Sequence, residues 1–267
     1  MTVQEFSDEF DLLYDNASMS APGLDLYEKS VFLTQAQEVI VKEAYSGMTM
    51  SGVAFEGSEK RRRQLSELVR DYKKYSQLDL EGTTAGTAGR GVDTSVPYEG
   101  LDRLVPESQM FQLPSDLMYI LHETATLNSP EDKALNGKVV DVVPITHDEY
   151  NVKKNNPFQK PNKRKVWRLD LFMDGTHMKV ELIAIALIDL YHCRYIKRPN
   201  PIILTDFETD PALTGLGLRV GGKNVSSTSE LNNEIHRDIL LRAVEMAVLT
   251  SRENNLNNKI NTNKSII

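Results

Sequence analysis

Three groups of residues in this chain carry side chains that could do chemistry. The first is His147-Asp148-Glu149, an imidazole beside two carboxylates, a set suited to a metal ion or a general base. Ligands on one helix must share a face, which requires i, i+3 or i, i+4 spacing. Three consecutive residues point three ways around a helix, and no HExxH or related pattern is present. Thr146-x-x-Glu149 has the form of a capping box, and acidic residues in a first turn complement the positive end of the helix dipole. The expectation is a capped helix start, with no metal.

The second group is Cys193 with its neighbour His192. Adjacent residues on a strand face opposite sides, so adjacency alone does not make a thiolate–imidazole pair. Cys193 is the one cysteine of the chain. It excludes an intrachain disulfide framework and a thiolate zinc site, fits a reducing compartment, and reads as a small buried hydrophobe. His122, His177 and His236 are isolated, and there is no G-x-S-x-G. These residues point away from an enzyme and imply no cofactor.

The third group is basic. Arg61, Arg62 and Arg63 lead a run that continues through Arg70, Lys73 and Lys74. Seven basic residues fall within the sixteen positions from Lys153 to Arg168, among them Lys163, Arg164 and Lys165. Both runs could contact phosphates. A nucleic-acid reader interleaves stacking aromatics or presents a recognition helix. Here only Phe158 and Trp167 lie near, and Trp167 falls on the apolar side of a strand. The net charge of −7 argues against a strongly basic binder and supplies acidic partners for ion pairs, in this chain or another. Two readings stand: a protein-facing surface, or a DNA-binding accessory protein using patches at 61–74 and 153–168.

The elements that must position these residues follow from periodicity. With 267 residues the chain is long enough for a sizeable core in one large domain or two smaller ones. Glu5–Tyr14 has helical apolar spacing. A second helix starts at Asp25 with Glu28 three residues on, another capping box. A third begins near Ser58 and places Leu65, Leu68, Val69 and Tyr72 on one stripe. Residues 77–109, with "EGTTAGTAGRGVDTS", lose periodicity and read as a Gly/Thr-rich arm; the glycines have neither Rossmann nor P-loop spacing. Residues 110–227 read as a β-rich insertion. It contains the short helix capped by Thr146 and ended by Pro157, an alternating strand with Trp167, Leu169 and Leu171 on one side, and a hairpin at "MDGT". "LIAIALI" (182–188) reads as a buried strand, too short to span a bilayer. Pro199 and Pro201 set an extended exit after Arg198. Ser227-x-x-Glu230 offers a further capping box, and Glu234–Arg252 is the most regular helix. The tail 254–267 has six Asn from Asn254 to Asn263 and reads as disordered or ordered only by a partner. No secretory signal opens the chain. The expected class is α+β, with a helical bundle from 1–76 and 228–253 and the β-rich region inserted between.

Five stretches taken together carry a family likeness: "EFSDEFDLLYDNASMSAPGLDLYEKSVFLTQAQEVIV", "FEGSEKRRRQL", "PITHDEYNVKKNNPFQKPNKRKVWRLD", "RYIKRPNPIIL" and "NEIHRDILLRAVEMAV". They cover somewhat less than half of the chain and resemble a structural protein of tailed bacteriophages, the crAss-like phages of gut Bacteroidales above all. "IHRDILLRAVEMAV" also resembles the bundle helix of head-to-tail adaptor proteins. The resemblance implies a virion neck protein: a connector ring, typically dodecameric, that adapts the portal to the tail and surrounds the DNA. It implies assembly in the host cytoplasm, no membrane, and no catalytic residues to carry over. A ring subunit needs two different surfaces that meet head to tail. The interface candidates on this reading are Arg61, Arg62, Arg63, Phe158, Lys163, Arg164, Lys165, Arg198, Pro199 and Pro201.

Overall fold

The computed structural model describes residues 1–17, 23–47, 55–75, 108–129, 132–174, 177–210 and 213–264. The chain divides into two compact units: Met1–Leu68 with Arg198–Ile267, and Val69–Lys197. The class is mixed α+β, as the periodicities imply.

The first unit is helical. In α1 (Val3–Ala17) the buried residues are Phe6, Phe10 and Tyr14, four apart. Side chains at that spacing stack along one face, and the Phe10 and Tyr14 rings lie 6.0 Å apart. The helix α2 (Leu26–Ser46) opens on the expected box: the Asp25 side chain accepts from Glu28 N at 2.7 Å, and the Glu28 carboxylate accepts from Asp25 N at 3.2 Å. It closes at Gly47, whose φ of 77° lies in the left-handed region, where a side chain is strained. A short helix, α3 (Glu59–Leu65), follows. The last helix, α5 (Asn233–Lys264), buries Ile235, Ile239, Leu240, Ala243 and Val244. Contacts join α1 to α5, α2 to α5 and α1 to α2.

An extended segment after Arg198 runs along α2, and its backbone is satisfied by α2 side chains. Gln37 Nε2 donates to Asn200 O at 2.7 Å, Thr34 Oγ1 exchanges hydrogen bonds with Ile202, and Ser30 Oγ accepts from Leu204 N at 3.0 Å. Ser30, Thr34 and Gln37 recur at helical spacing, which explains three buried polar residues on this helix: each supplies what a buried strand edge lacks. Behind them Ile203, Phe207, Leu213 and Val220 form an apolar cluster against Tyr27 and Val31.

The second unit is one seven-stranded sheet in the order β1-β7-β3-β4-β5-β6-β2. The strands are β1 (Val69–Tyr75), β2 (Gln109–Gln112), β3 (Leu117–Asn128), β4 (Val139–Pro144), β5 (Lys165–Asp174), β6 (His177–Ile183) and β7 (Leu187–Lys197). The β4–β5 pair is parallel and the others are antiparallel. A parallel neighbour needs a crossover, and α4 (His147–Lys153) lies in it. Tyr72 OH on β1 donates to Gln112 O on β2 at 2.9 Å, so the sheet curls until its end strands meet. Inside are Phe111, Val166, Val180, Leu182, Tyr191 and Cys193. On the other side α4 covers Trp167, Leu169 and Ile183 with Ile145 and Tyr150.

Several expectations change. The third helix ends at Leu65, turns through Ser66–Leu68, and becomes β1. Val69 and Tyr72 belong to a strand because β7 pairs with them, and tertiary pairing overrides the helical stripe. "LIAIALI" spans a break at 184–186 between β6 and β7. The stretch 198–227 belongs to the helical unit and not to the β-rich one, because its backbone is bonded by α2. Ser227 does not cap α5: Glu230 binds Asn200 instead, and Asn232 Oδ1 accepts from Glu234 N at 3.2 Å. The helix α5 continues through the Asn-rich stretch to Lys264; with no Gly or Pro to stop it, propagation of a nucleated helix is inexpensive. Gln109 already lies in β2, and the arm predicted before it, together with the Gly175-Thr176 turn, lies outside the described residues.

Candidate functional site

The basic candidates separate into residues held inward and residues left outward. Arg61 is buried at 8% exposure. Its Nη1 donates to Glu43 O at 3.2 Å and Ala44 O at 3.3 Å, carbonyls in the last turn of α2, where helical donors run out; Glu43 O also accepts from Gly47 N at 3.1 Å. A cation there also meets the negative end of the dipole. Arg61 is thus a cap within its own unit. Arg62 and Arg63 are exposed, and Arg63 lies 3.7 Å from Glu234.

In the second unit Lys163 Nζ lies 3.3 Å from Asp132 Oδ2. The Ala134 amide and the Lys163 ammonium together hold that carboxyl below its usual range. Arg164 is exposed and Lys165 is half-buried at the start of β5, opposite Asp141. Phe158 is 89% exposed. It follows a turn fixed by Asn156 Oδ1, which accepts from Phe158 N at 3.0 Å. Within this unit the structure brings Phe158, Lys163 and Arg164 onto one connection between α4 and β5. Arg198 is exposed, whereas Pro199 and Pro201 are buried; Pro201 O accepts from Ser227 Oγ at 2.6 Å. These prolines shape the buried segment along α2.

The other chemical groups are occupied structurally. Thr146 and Glu149 make both halves of their capping box. The Glu149 carboxyl is held below its usual range, first by Lys153 at 2.9 Å and then by the Thr146 amide. Among the described residues no group of three His, Cys, Asp or Glu is placed to hold a metal. Cys193 is fully buried, and burial pushes its thiol up to about 12, which leaves it without nucleophilic character at neutral pH.

One cluster was not legible in the sequence. Glu123 on β3, Arg168 on β5 and Tyr191 on β7 meet inside the sheet, with Arg168 and the Tyr191 hydroxyl both donating to the Glu123 carboxylate. Arg168 and Glu123 are 7% and 6% exposed. Burial works most strongly against the Arg168 charge, but the Glu123 hydrogen bond and the attraction of Glu123, Asp170 and Tyr191 together outweigh it, so the guanidinium is held more firmly protonated than usual. Desolvation also pushes the Tyr191 phenol well up. In sequence Arg168 is the last member of a basic run; only the fold separates it from its exposed neighbours. The cluster fits cross-strand fixation of the sheet and no reaction, since both donors are already engaged by the carboxylate.

Comparison with known proteins agrees with a site made of surfaces. Residues 1–259 match the family model described as phage tail ring protein 3/4. The chain is 36% identical over 255 residues to "Ring protein 3" of Bacteroides phage crAss001, covering 95% of this chain and 97% of that protein. It is 34% identical over 252 residues to "Ring protein 4/5" of the same phage, covering 92% of each. Relatives of this kind are structural proteins, and the chain is not an enzyme. No described helix is long and apolar enough to cross a membrane. Matched along nearly its whole length, this chain belongs to the phage tail ring protein 3/4 family, as a ring protein of a crAss-like phage.

Proposed function

We propose that the chain is a subunit of a neck ring that joins the portal to the tail and surrounds the DNA channel, in about twelve copies per ring as closed head-to-tail symmetry allows. The host cytoplasm is where it assembles. The family match over residues 1–259 carries this reading. Exposed Arg62, Arg63, Arg198, Lys163, Arg164 and Phe158 are its partner-facing residues. Phe158 supports it most among them: a phenylalanine 89% exposed on a short turn is the type of anchor that protein interfaces bury. A helical bundle made by α1, α2 and α5, consistent with their mutual contacts, is the rigid body that carries one such surface.

Mass measurement of the purified chain, alone and with its portal, tests this. A species of about twelve subunits that binds portal in negative-stain images is the expected result. A monomer that ignores the portal and binds duplex DNA with a steep salt dependence would instead make it a DNA-binding accessory protein.

A further inference from the structure

A closed head-to-tail ring needs two unlike, complementary surfaces on each subunit, and the helical unit carries a pair that fits. The first is α1. It holds five acidic residues and no basic one. Asp11 is taken by Lys29 at 2.7 Å. Glu5, Asp8, Glu9 and Asp15 are exposed and have no Lys or Arg partner among the described residues. Leu12 sits among them at 64% exposure. Positions 5, 8, 9, 12 and 15 share one side of a helix, so α1 presents an acidic ridge with an apolar centre.

The second surface is a cleft of about 600 Å³ with Ile40, Ala44 and Ile235 beneath Lys60, Arg61 and Arg242. Lys60 is exposed on α3 at its edge. Glu43 and Asp238 also line it, and Arg242 reaches Glu43 at 3.5 Å and Glu245 at 2.8 Å. The Arg242 Nε atom is nevertheless buried without a hydrogen-bond partner. An apolar floor with a basic rim matches an apolar residue flanked by carboxylates, in shape and in charge.

We infer that the acidic ridge of α1 on one subunit docks, with Leu12 at its centre, into the Lys60/Arg242 cleft of a second copy of this chain. The inference rests on the ring reading above and names the contact that builds the ring. The ridge and the cleft are carried by different helices, so each copy uses one with each neighbour. Leu12 covers Ile40, Ala44 and Ile235, and the flanking carboxylates face the cationic rim.

The test is a charge swap in the full chain, with far-UV circular dichroism as the check on folding. Asp8→Lys/Glu9→Lys reverses the ridge, and Lys60→Glu/Arg242→Glu inverts the rim. Each variant alone is expected to weaken self-association roughly ten- to hundredfold, since like charges then face each other. An equimolar mixture of the two is expected to restore it, because the reversed ridge fits the reversed rim and the intact ridge fits the intact rim. Leu12→Asp is expected to weaken association with no rescue by either partner. Folded variants that assemble as the unaltered chain does, or a mixture that fails to recover, overturn the inference and leave the ring standing. An unaltered chain that stays monomeric at every concentration, alone and with portal, overturns the ring reading and this contact with it.

Discussion

Arg61, Arg62 and Arg63 are adjacent and have different jobs. Arg61 bonds two carbonyls at the end of α2 from a buried position, while its two neighbours stand in solvent. Hydrogen bonds from a charged donor contribute roughly 1.5–3 kcal/mol, so Arg61→Ala should lower stability by about that much in urea unfolding. Interactions of exposed charged side chains contribute only about 0–1 kcal/mol, so Arg62→Ala should move the midpoint much less than Arg61→Ala and act mainly on assembly. Equal losses at both positions would remove the distinction. A sharper case is Glu123, whose carboxylate receives both Arg168 and Tyr191. Glu123→Gln leaves the buried guanidinium only the half-exposed Asp170 carboxylate at 2.8 Å and should cost up to roughly 3–5 kcal/mol. The double change Glu123→Leu/Arg168→Met removes the charge with its partner and should recover a large part of that loss. A double variant as unstable as the single one would show that the pair contributes more than its own desolvation costs.

Between residues and the whole stand the elements, and how well each was legible depended on how local its cause is. The start of α2 was readable because Asp25 and Glu28 lie three residues apart and bond each other's backbone. Asp25→Ala should cost about 1 kcal/mol, seen in thermal unfolding, and Asp25→Ser little; equal losses would mean that the cap geometry is not what the side chain supplies. The α4 box at Thr146 was readable for the same reason. The strand β1 was not. Its sequence fits a helical stripe, and what makes it a strand is β7, more than a hundred residues away, where Asp71 meets Arg194 at 2.9 Å and lies below the usual carboxylate range for that reason first. The course of 198–204 was hidden likewise, because it depends on Ser30, Thr34 and Gln37 facing one way. Of the interface candidates, local reading found the charges but not which of them the fold turns inward: Arg61 caps a helix, and Pro199 and Pro201 are buried. Exposure is a property of the assembled unit, and no spacing rule reports it.

At the scale of the whole assembly the acidic balance becomes large. Each chain carries −7, so in the proposed ring about twelve copies would sum to roughly −84, enough to set up a strong repulsive field toward a polyanion. Cations that face protein are not available to offset it in the channel. If Lys60 and Arg242 are covered by a neighbour's α1, two basic residues leave the solvent on assembly. The lumen is then expected to be negative, and the genome slides through without adhering. Duplex DNA added to the assembled ring at about 0.15 M salt should not be retained, and lowering the salt should produce no steep rise in binding, because few phosphates are neutralised. The comparison that decides the matter is the Lys60→Glu/Arg242→Glu variant against the unaltered chain. If those residues face protein, DNA retention is equally low for both and only assembly changes. Should the unaltered ring hold DNA with a slope of several counterions, and the variant lose it, the basic runs line the channel as a grip on the genome and the acidic lumen is refuted.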